Sequence, residues 1–350
     1  MKTKHPVIIG IDTHKATHVA VAIDTQGTRL AALTIPANPK GYLEVERWSQ
    51  SLGKVQAFGI EGTGSYGAGL SRSLLDQGHN VVEVTRPNRQ LRYTQGKTDS
   101  LDAEGAARSV LSGQAAARPK TQSGSSEMIR HLKIARDTAV KSRSQAMVTL
   151  KTLIINAPAD LREALDQIGG KVGLIRHIAA FRPRKIDNTM ASAKAAMRAL
   201  ARRWLWLHEE IISHDKELER FATERAPNLM ASHGIATLTV SEMLILVGDD
   251  PTRIRSEAAF AKLCGVCPIP ASSGKTHRFR LNRGGNRQAN AALYRVAIIR
   301  MRSHEPTLAY VKKRTKDGKS KSEIIRCLKR YIVREIYSQL CVPKTAKIAA

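Results

Sequence analysis

Val7-Ile8-Ile9-Gly10-Ile11-Asp12, then Thr13-His14-Lys15, then His18-Val19-Ala20-Val21-Ala22-Ile23: this opening stretch decides the fold class. A short apolar run ending in an acid, a polar turn and an alternating apolar run spell strand, turn, strand. Asp24 to Gly27 is polar and turn-like, and Thr28 to Ile35 adds a third strand, which makes an antiparallel meander. Pro39-Lys40-Gly41 introduces an amphipathic helix with Tyr42, Val45 and Trp48 on one side. A crossover helix calls for a parallel strand. Val55-Gln56-Ala57-Phe58-Gly59-Ile60 supplies it, closing on Glu61 before Gly62-Thr63-Gly64. Gly67 to Gly78 reads as helix and Val81 to Val84 as strand, and a polar connection from Arg86 to Gln95 leads to a helix starting near Asp99.

Three meander strands followed by alternating helices and strands make a ribonuclease-H-like α/β layout. In open sheets of this kind, strand ends and nearby helix starts form the site. Asp12, Glu61, Asp99 and Asp102 all fall at such places. Within Lys97-Thr98-Asp99-Ser100-Leu101-Asp102 the two acids lie three residues apart, on one helix face. On this window alone a helix cap is the commoner use: Thr98 or Asp99 caps, and Asp102 complements the helix dipole. The acids upstream overturn that reading. Four converging carboxylates in a basic chain repel one another unless a cation sits among them, and Mg²⁺ suits such a set because it leaves positions for phosphate oxygens. Metal ions of this kind serve phosphodiester chemistry.

The 350 residues carry 57 Lys+Arg against 30 Asp+Glu, a formal charge of +27, which directs the chain to polyanions, nucleic acid first. No apolar run approaches the length of a spanning helix, and Asp12 follows Lys2 and Lys4 too soon for an export leader, so a cytoplasmic, nucleoid-associated protein is expected. Four cysteines give no disulfide framework. Cys264-x-x-Cys267 is a weak zinc signal without a second close pair, and small buried thiols are its commoner use.

Residues 115 to 126 are polar and breaker-rich, which sets a boundary and divides the chain into 1–118, 119–225 and 226–350. The middle part is helical. Met128, Leu132, Ala135, Ala139, Ala146, Leu150, Leu153 and Ala157 recur at helical steps. Met190, Ala193, Met197, Leu200, Trp204, Leu207, Ile211, His214, Leu218 and Phe221 alternate steps of three and four, the signature of a coiled-coil seam. Such a coil folds back on its partner helix or joins two subunits. The last part holds 23 Lys+Arg against 8 Asp+Glu, a net +15, and should lie on phosphate backbone. Its compact helices frame the loop Pro270-Ala-Ser-Ser-Gly-Lys-Thr-His-Arg-Phe-Arg280. Gly274-Lys275-Thr276 lacks the leading glycine and spacer of a nucleotide-binding loop. For Ser272 and Ser273 a solvated turn is the commoner use. The alternative is a serine nucleophile flanked by Lys275, Arg278 and Arg280, with Arg283 and Arg287 as further nucleic-acid contacts. Asn286 should cap a helix to about Arg302, Lys312 to Lys321 reads as a mobile basic loop, and Ser322 to Leu340 as a final amphipathic helix.

Ile11-Asp12-Thr13, Ile60-Glu61-Gly62-Thr63-Gly64, the Asp99/Asp102 pair and the late Ser-Ser-Gly…Arg-Gly-Gly-Asn string occur in this order along nearly the whole chain. Together they resemble the DEDD transposases of the insertion-sequence one-hundred-and-ten family. The resemblance implies a RuvC-like amino-terminal domain, a coiled coil and a carboxy-terminal transposase domain. It implies that Asp12, Glu61, Asp99 and Asp102 bind Mg²⁺ and that a serine before glycine attacks the DNA phosphate covalently. Pairing with Gly274 favours Ser273, while spacing to Asn286 suits Ser272 equally. It also implies a recombinase that joins donor and target DNA paired by a bridge RNA. Gly234-Ile235-Ala236 departs from the family pattern, which has a second glycine there. Because serine and acids lie far apart in sequence, a homo-oligomer, dimer or tetramer, is expected. Two other classes fit the same residues: a RuvC-like nuclease that uses water, and a non-catalytic nucleic-acid-binding regulator derived from a transposase.

Overall fold

The structure is a computed structural model that describes residues 5–84, 98–275 and 279–342. It falls into two compact units, Met1–Gly124 with Val247–Ser256, and Ser125–Leu246 with Glu257–Ala350.

The first unit is built on one mixed sheet of β1 (Pro6–Thr13), β2 (Thr17–Asp24), β3 (Arg29–Pro36), β4 (Lys54–Glu61) and β5 (Val81–Val84), ordered β3-β2-β1-β4-β5. The meander strands pair antiparallel, and β4 and β5 run parallel to β1. Strand alternation splits the side chains into two cores. Val7, Ile9, Ile11, Phe58 and Ile60 face α1 (Pro39–Leu52) and α2 (Ala68–Asp76), whose Val45, Leu70 and Leu74 are buried with them. Ile8, Val21 and Ile23 face α3 (Asp99–Leu111) through Ala103 and Ala107. This sheet with helices on both faces is consistent with the ribonuclease-H-like layout read from the sequence.

Gly10 sets the depth of α3 on the sheet. A Cβ there would lie 2.0 Å from the carbonyl oxygen of Ala103, so only glycine lets the helix backbone come this near. Arg29, at the head of β3, donates to the Ser100 hydroxyl (2.7 Å) and steadies the helix start.

The second unit is long and helical. α4 (Ser125–Ile155) and α7 (Thr189–Arg225) run in opposite directions, since Arg136 meets Asp215 while Arg143 meets His208. Between them come α5 (Ala159–Asp166) and α6 (Lys171–Ala179), which close an apolar core with Leu150, Met197 and Trp204. Of the α7 seam positions, Met197, Trp204, Leu207, Ile211 and Leu218 are buried. On α4 the buried face differs by one position from the expected series: Ile129 is fully buried and Met128 is half exposed, because the first turn enters the core through Ser126 and Ile129.

The chain continues through α8 (Pro227–Met230), α9 (Thr237–Val247), α10 (Glu257–Leu263), the short strands β6 (Ile269–Pro270) and β7 (Phe279–Arg280), α11 (Arg287–Ser303), α12 (Glu305–Lys316) and α13 (Lys321–Leu340). Asn286 caps α11 by accepting from the Ala289 amide, and Ile325, Leu328, Ile332 and Ile336 are buried on α13 as their spacing requires. Lys312 to Lys316 are helical rather than loop: Glu305-Pro306 starts α12, and Arg314 reaches back to Tyr310 and on to Asp317. Among the described residues no helix is long and apolar enough to cross a membrane.

Candidate metal centre and serine loop

Asp12 is the next-to-last residue of β1 and only 8% exposed. Alternation places it on the same sheet face as Ile8 and Gly10, the face that α3 covers. Glu61 ends β4 one residue beyond the Ile11–Ile60 pair, and alternation from Gly59, whose position abuts Ala106 and Val110, assigns it to that face as well. The Thr13 hydroxyl donates to the Glu61 carbonyl (2.8 Å) and ties the two strand ends together. Thr98 caps α3 by accepting from the Leu101 amide, so Asp99 is the first helical residue and not the cap. Asp99 is exposed at the rim, and Asp102, one turn on, is buried.

These acids act on one another. Burial is the largest influence holding the Asp12 carboxyl above its ordinary value, and the charges of Asp102 and Asp99 push the same way while His14 opposes them. His14, which the sequence reading passed over, lies just past β1. Its Nε2 is 3.1 Å from Asp12 and 3.4 Å from Asp99. Because β1 ends at Thr13, strand alternation did not reach it. Ligand atoms of Asp12, His14 and Asp99 all lie within 4.8 Å of one another, so this group could hold a divalent metal ion. Its donors are mainly hard carboxylate oxygens, a set that fits Mg²⁺ better than a soft metal.

Ser272 and Ser273 belong to the second unit, just after β6, and both are exposed. Lys275, Arg280, Arg283 and Arg287 are exposed in the same region, and Arg278 lies outside the described residues. On α11, Asn290 donates to the carbonyls of Cys264 and Gly265 and accepts from the buried Lys329 ammonium (2.8 Å). Gly285 packs so closely on Gly265 that a Cβ would sit 2.1 Å from its amide nitrogen. This anchorage fixes the Arg283-Gly-Gly-Asn286 segment that follows the serines. Cys264 lies in it as a packed thiol, pushed up to about 12 by burial foremost.

Comparison with known proteins bears on both regions. A family model of DEDD-type IS110 proteins, described as "Transposase", matches residues 9–156, and a second, "Transposase IS116/IS110/IS902 family", matches residues 226–312. Together they span about two thirds of the chain and include the acids in one match and the serine loop in the other. The chain belongs to the IS110/IS116 family of DEDD transposases. The transposase is 24% identical to the uncharacterized 44.8 kDa protein of insertion element IS116 from Streptomyces clavuligerus, over 97% of this chain and 96% of the relative. It is 28% identical to the uncharacterized 43.6 kDa protein of insertion element IS110 from Streptomyces coelicolor, over 33% of this chain and 28% of that protein.

Proposed function

We propose that this transposase cuts and rejoins DNA by serine attack supported by a Mg²⁺ site. The observation that carries the reading is the buried Asp12 with Asp99 and Asp102 acting on its charge at the mouth of a ribonuclease-H-like sheet. Asp12, Glu61, Asp99 and Asp102 would hold the ion, with His14 hydrogen-bonded to Asp12 on its flank. When bound, Mg²⁺ neutralises phosphate charge and stabilises the transition state of phosphodiester exchange.

The rest of the chemistry falls to the chain. In this proposal the Oγ of Ser273, or of its neighbour Ser272, attacks the scissile phosphorus as the P–O3′ bond breaks, and the departing 3′ oxygen takes a proton. Lys275, Arg278 and Arg280 hold the phosphate, and Arg283 and Arg287 bind backbone nearby. A 3′ hydroxyl from a different strand then attacks the phosphoserine, restoring the serine and joining the strands.

The wider proposal has domains 1–118 (RuvC-like), 119–225 (coiled coil) and 226–350 (transposase). Serine and acids come from different subunits of a dimer or tetramer joined through the coil, and a bridge RNA pairs donor with target DNA. The antiparallel α4–α7 pair and the charge of residues 226–350 support this organisation.

The test is cleavage and joining of labelled junction DNA with Mg²⁺ and RNA transcribed from the flanking element. The Ser272→Ala/Ser273→Ala double variant is expected to lose both reactions, as is Asp12→Ala. Cleavage that survives the double serine change would establish hydrolysis by water instead.

A further inference from the structure

Charge is segregated along the helical pair. The α7 residues 189–203 carry Lys194, Arg198, Arg202 and Arg203 and no acid, whereas residues 204–225 carry six acids and three cations. α4 matches it: both its acids, Glu127 and Asp137, precede residue 138, and Lys141, Arg143 and Lys151 follow. Because the helices are antiparallel, the two acid-free halves lie side by side. Across residues 138–203 there are 13 Lys+Arg against 4 Asp+Glu.

At the other end several cations pair internally: Lys133 with Asp137 and Glu242, Arg136 with Asp215, Arg220 with Glu217 and Glu224. Lys141 and Arg203 have no ion-pair partner among the described residues. Both line an open groove of about 480 Å³ whose walls also hold Ser142, Gln145 and Thr149. Trp206 stands one turn beyond Arg203, outward on the same flank of α7, and is 67% exposed.

We propose that this groove binds an unpaired polynucleotide strand. Lys141 and Arg203 take successive phosphates, Ser142, Gln145 and Thr149 donate to phosphate or sugar oxygens, and Trp206 stacks on a base. A cationic channel with an aromatic platform suits a single strand, because only an unstacked base offers its face to Trp206. A second copy of the chain is the poorer occupant: an isologous contact would bring this basic patch against the same basic patch. The proposal does not depend on the acid cluster or the serine loop.

The test is fluorescence anisotropy with the full-length protein, using a labelled 20-nucleotide RNA, the same sequence as single-stranded DNA, and its duplex, over a range of salt. Lys141→Glu/Arg203→Glu should weaken single-strand binding at least tenfold. Lys141→Gln/Arg203→Gln, which removes charge without reversing it, should lower the slope of log affinity against log salt by about 1.4, some 0.7 per lost phosphate contact. Trp206→Ala should weaken single-strand binding by roughly five- to a hundredfold and leave the duplex unchanged. A loss confined to RNA assigns the strand to RNA, and an equal loss on both single strands assigns the site to either. Unchanged single-strand affinity in variants with wild-type circular dichroism would overturn the proposal. So would a loss equal for single strand and duplex. A fall in light-scattering mass without loss of binding would make the groove a contact between copies instead.

Discussion

In the proposed metal site, Asp12 is the residue whose placement costs stability at neutral pH. Its carboxyl is held above its ordinary value by burial and by Asp102 and Asp99. The unfolded chain lets it ionise at the ordinary value, 3.8, so the folded state binds the proton more tightly. This acid's contribution to stability is therefore greatest below that value and is lost as pH rises through the raised one. At neutral pH, Asp12→Asn should raise the melting temperature of the metal-free protein, by about 2–4 °C if the relief is ~1 kcal/mol. Mg²⁺ or Mn²⁺ should raise that of the wild type but not of Asp12→Asn, as differential scanning fluorimetry would read. The four acids were legible as residues because each closes a strand or opens a helix. His14 was not, because a histidine in a turn has many ordinary uses and its proximity to Asp99 is made only by the packing of α3.

At the scale of elements, the period of two delivered the meander and the parallel strands, since one-residue slips would turn Ile9 and Ile11 out of their core. Packing depth was less accessible. Nothing local says that Gly10 faces a helix backbone, yet this glycine allows α3 to bring Asp99 and Asp102 to Asp12. Gly10→Val should cost about 1–3 kcal/mol by overpacking and abolish the stabilisation by divalent ions, both seen in thermal unfolding with and without Mn²⁺. The anchorage of the Arg283–Asn286 segment has the same character. Asn290→Ala would strip the Cys264 and Gly265 carbonyls of their donor and leave the Lys329 ammonium buried without an acceptor. A destabilisation of about 1–3 kcal/mol is expected by urea denaturation. The buried face at Met128 and Ile129 and the helix over Lys312 to Lys316 departed from the sequence reading for a related reason. Both are set by tertiary packing and by i,i+4 side-chain contacts that a run of polar residues does not advertise.

For the whole molecule, composition spoke plainly about partners in general and little about arrangement. A charge of +27 points to nucleic acid, but the charge collects both in a basic carboxy-terminal third, serine loop included, and at the acid-free end of the helical pair. Acids and serine reside in different compact units, and the two transposase family matches cover one each. The central claim is that they act on one phosphate. It is tested most directly by trapping the protein–DNA adduct on a denaturing gel, with Mg²⁺, element-derived RNA and labelled junction DNA, and mapping the modified peptide by mass spectrometry. The account predicts an adduct on Ser273 or Ser272 that disappears in the matching alanine variant and in Asp12→Ala. Cleaved DNA with no adduct on either serine would contradict it.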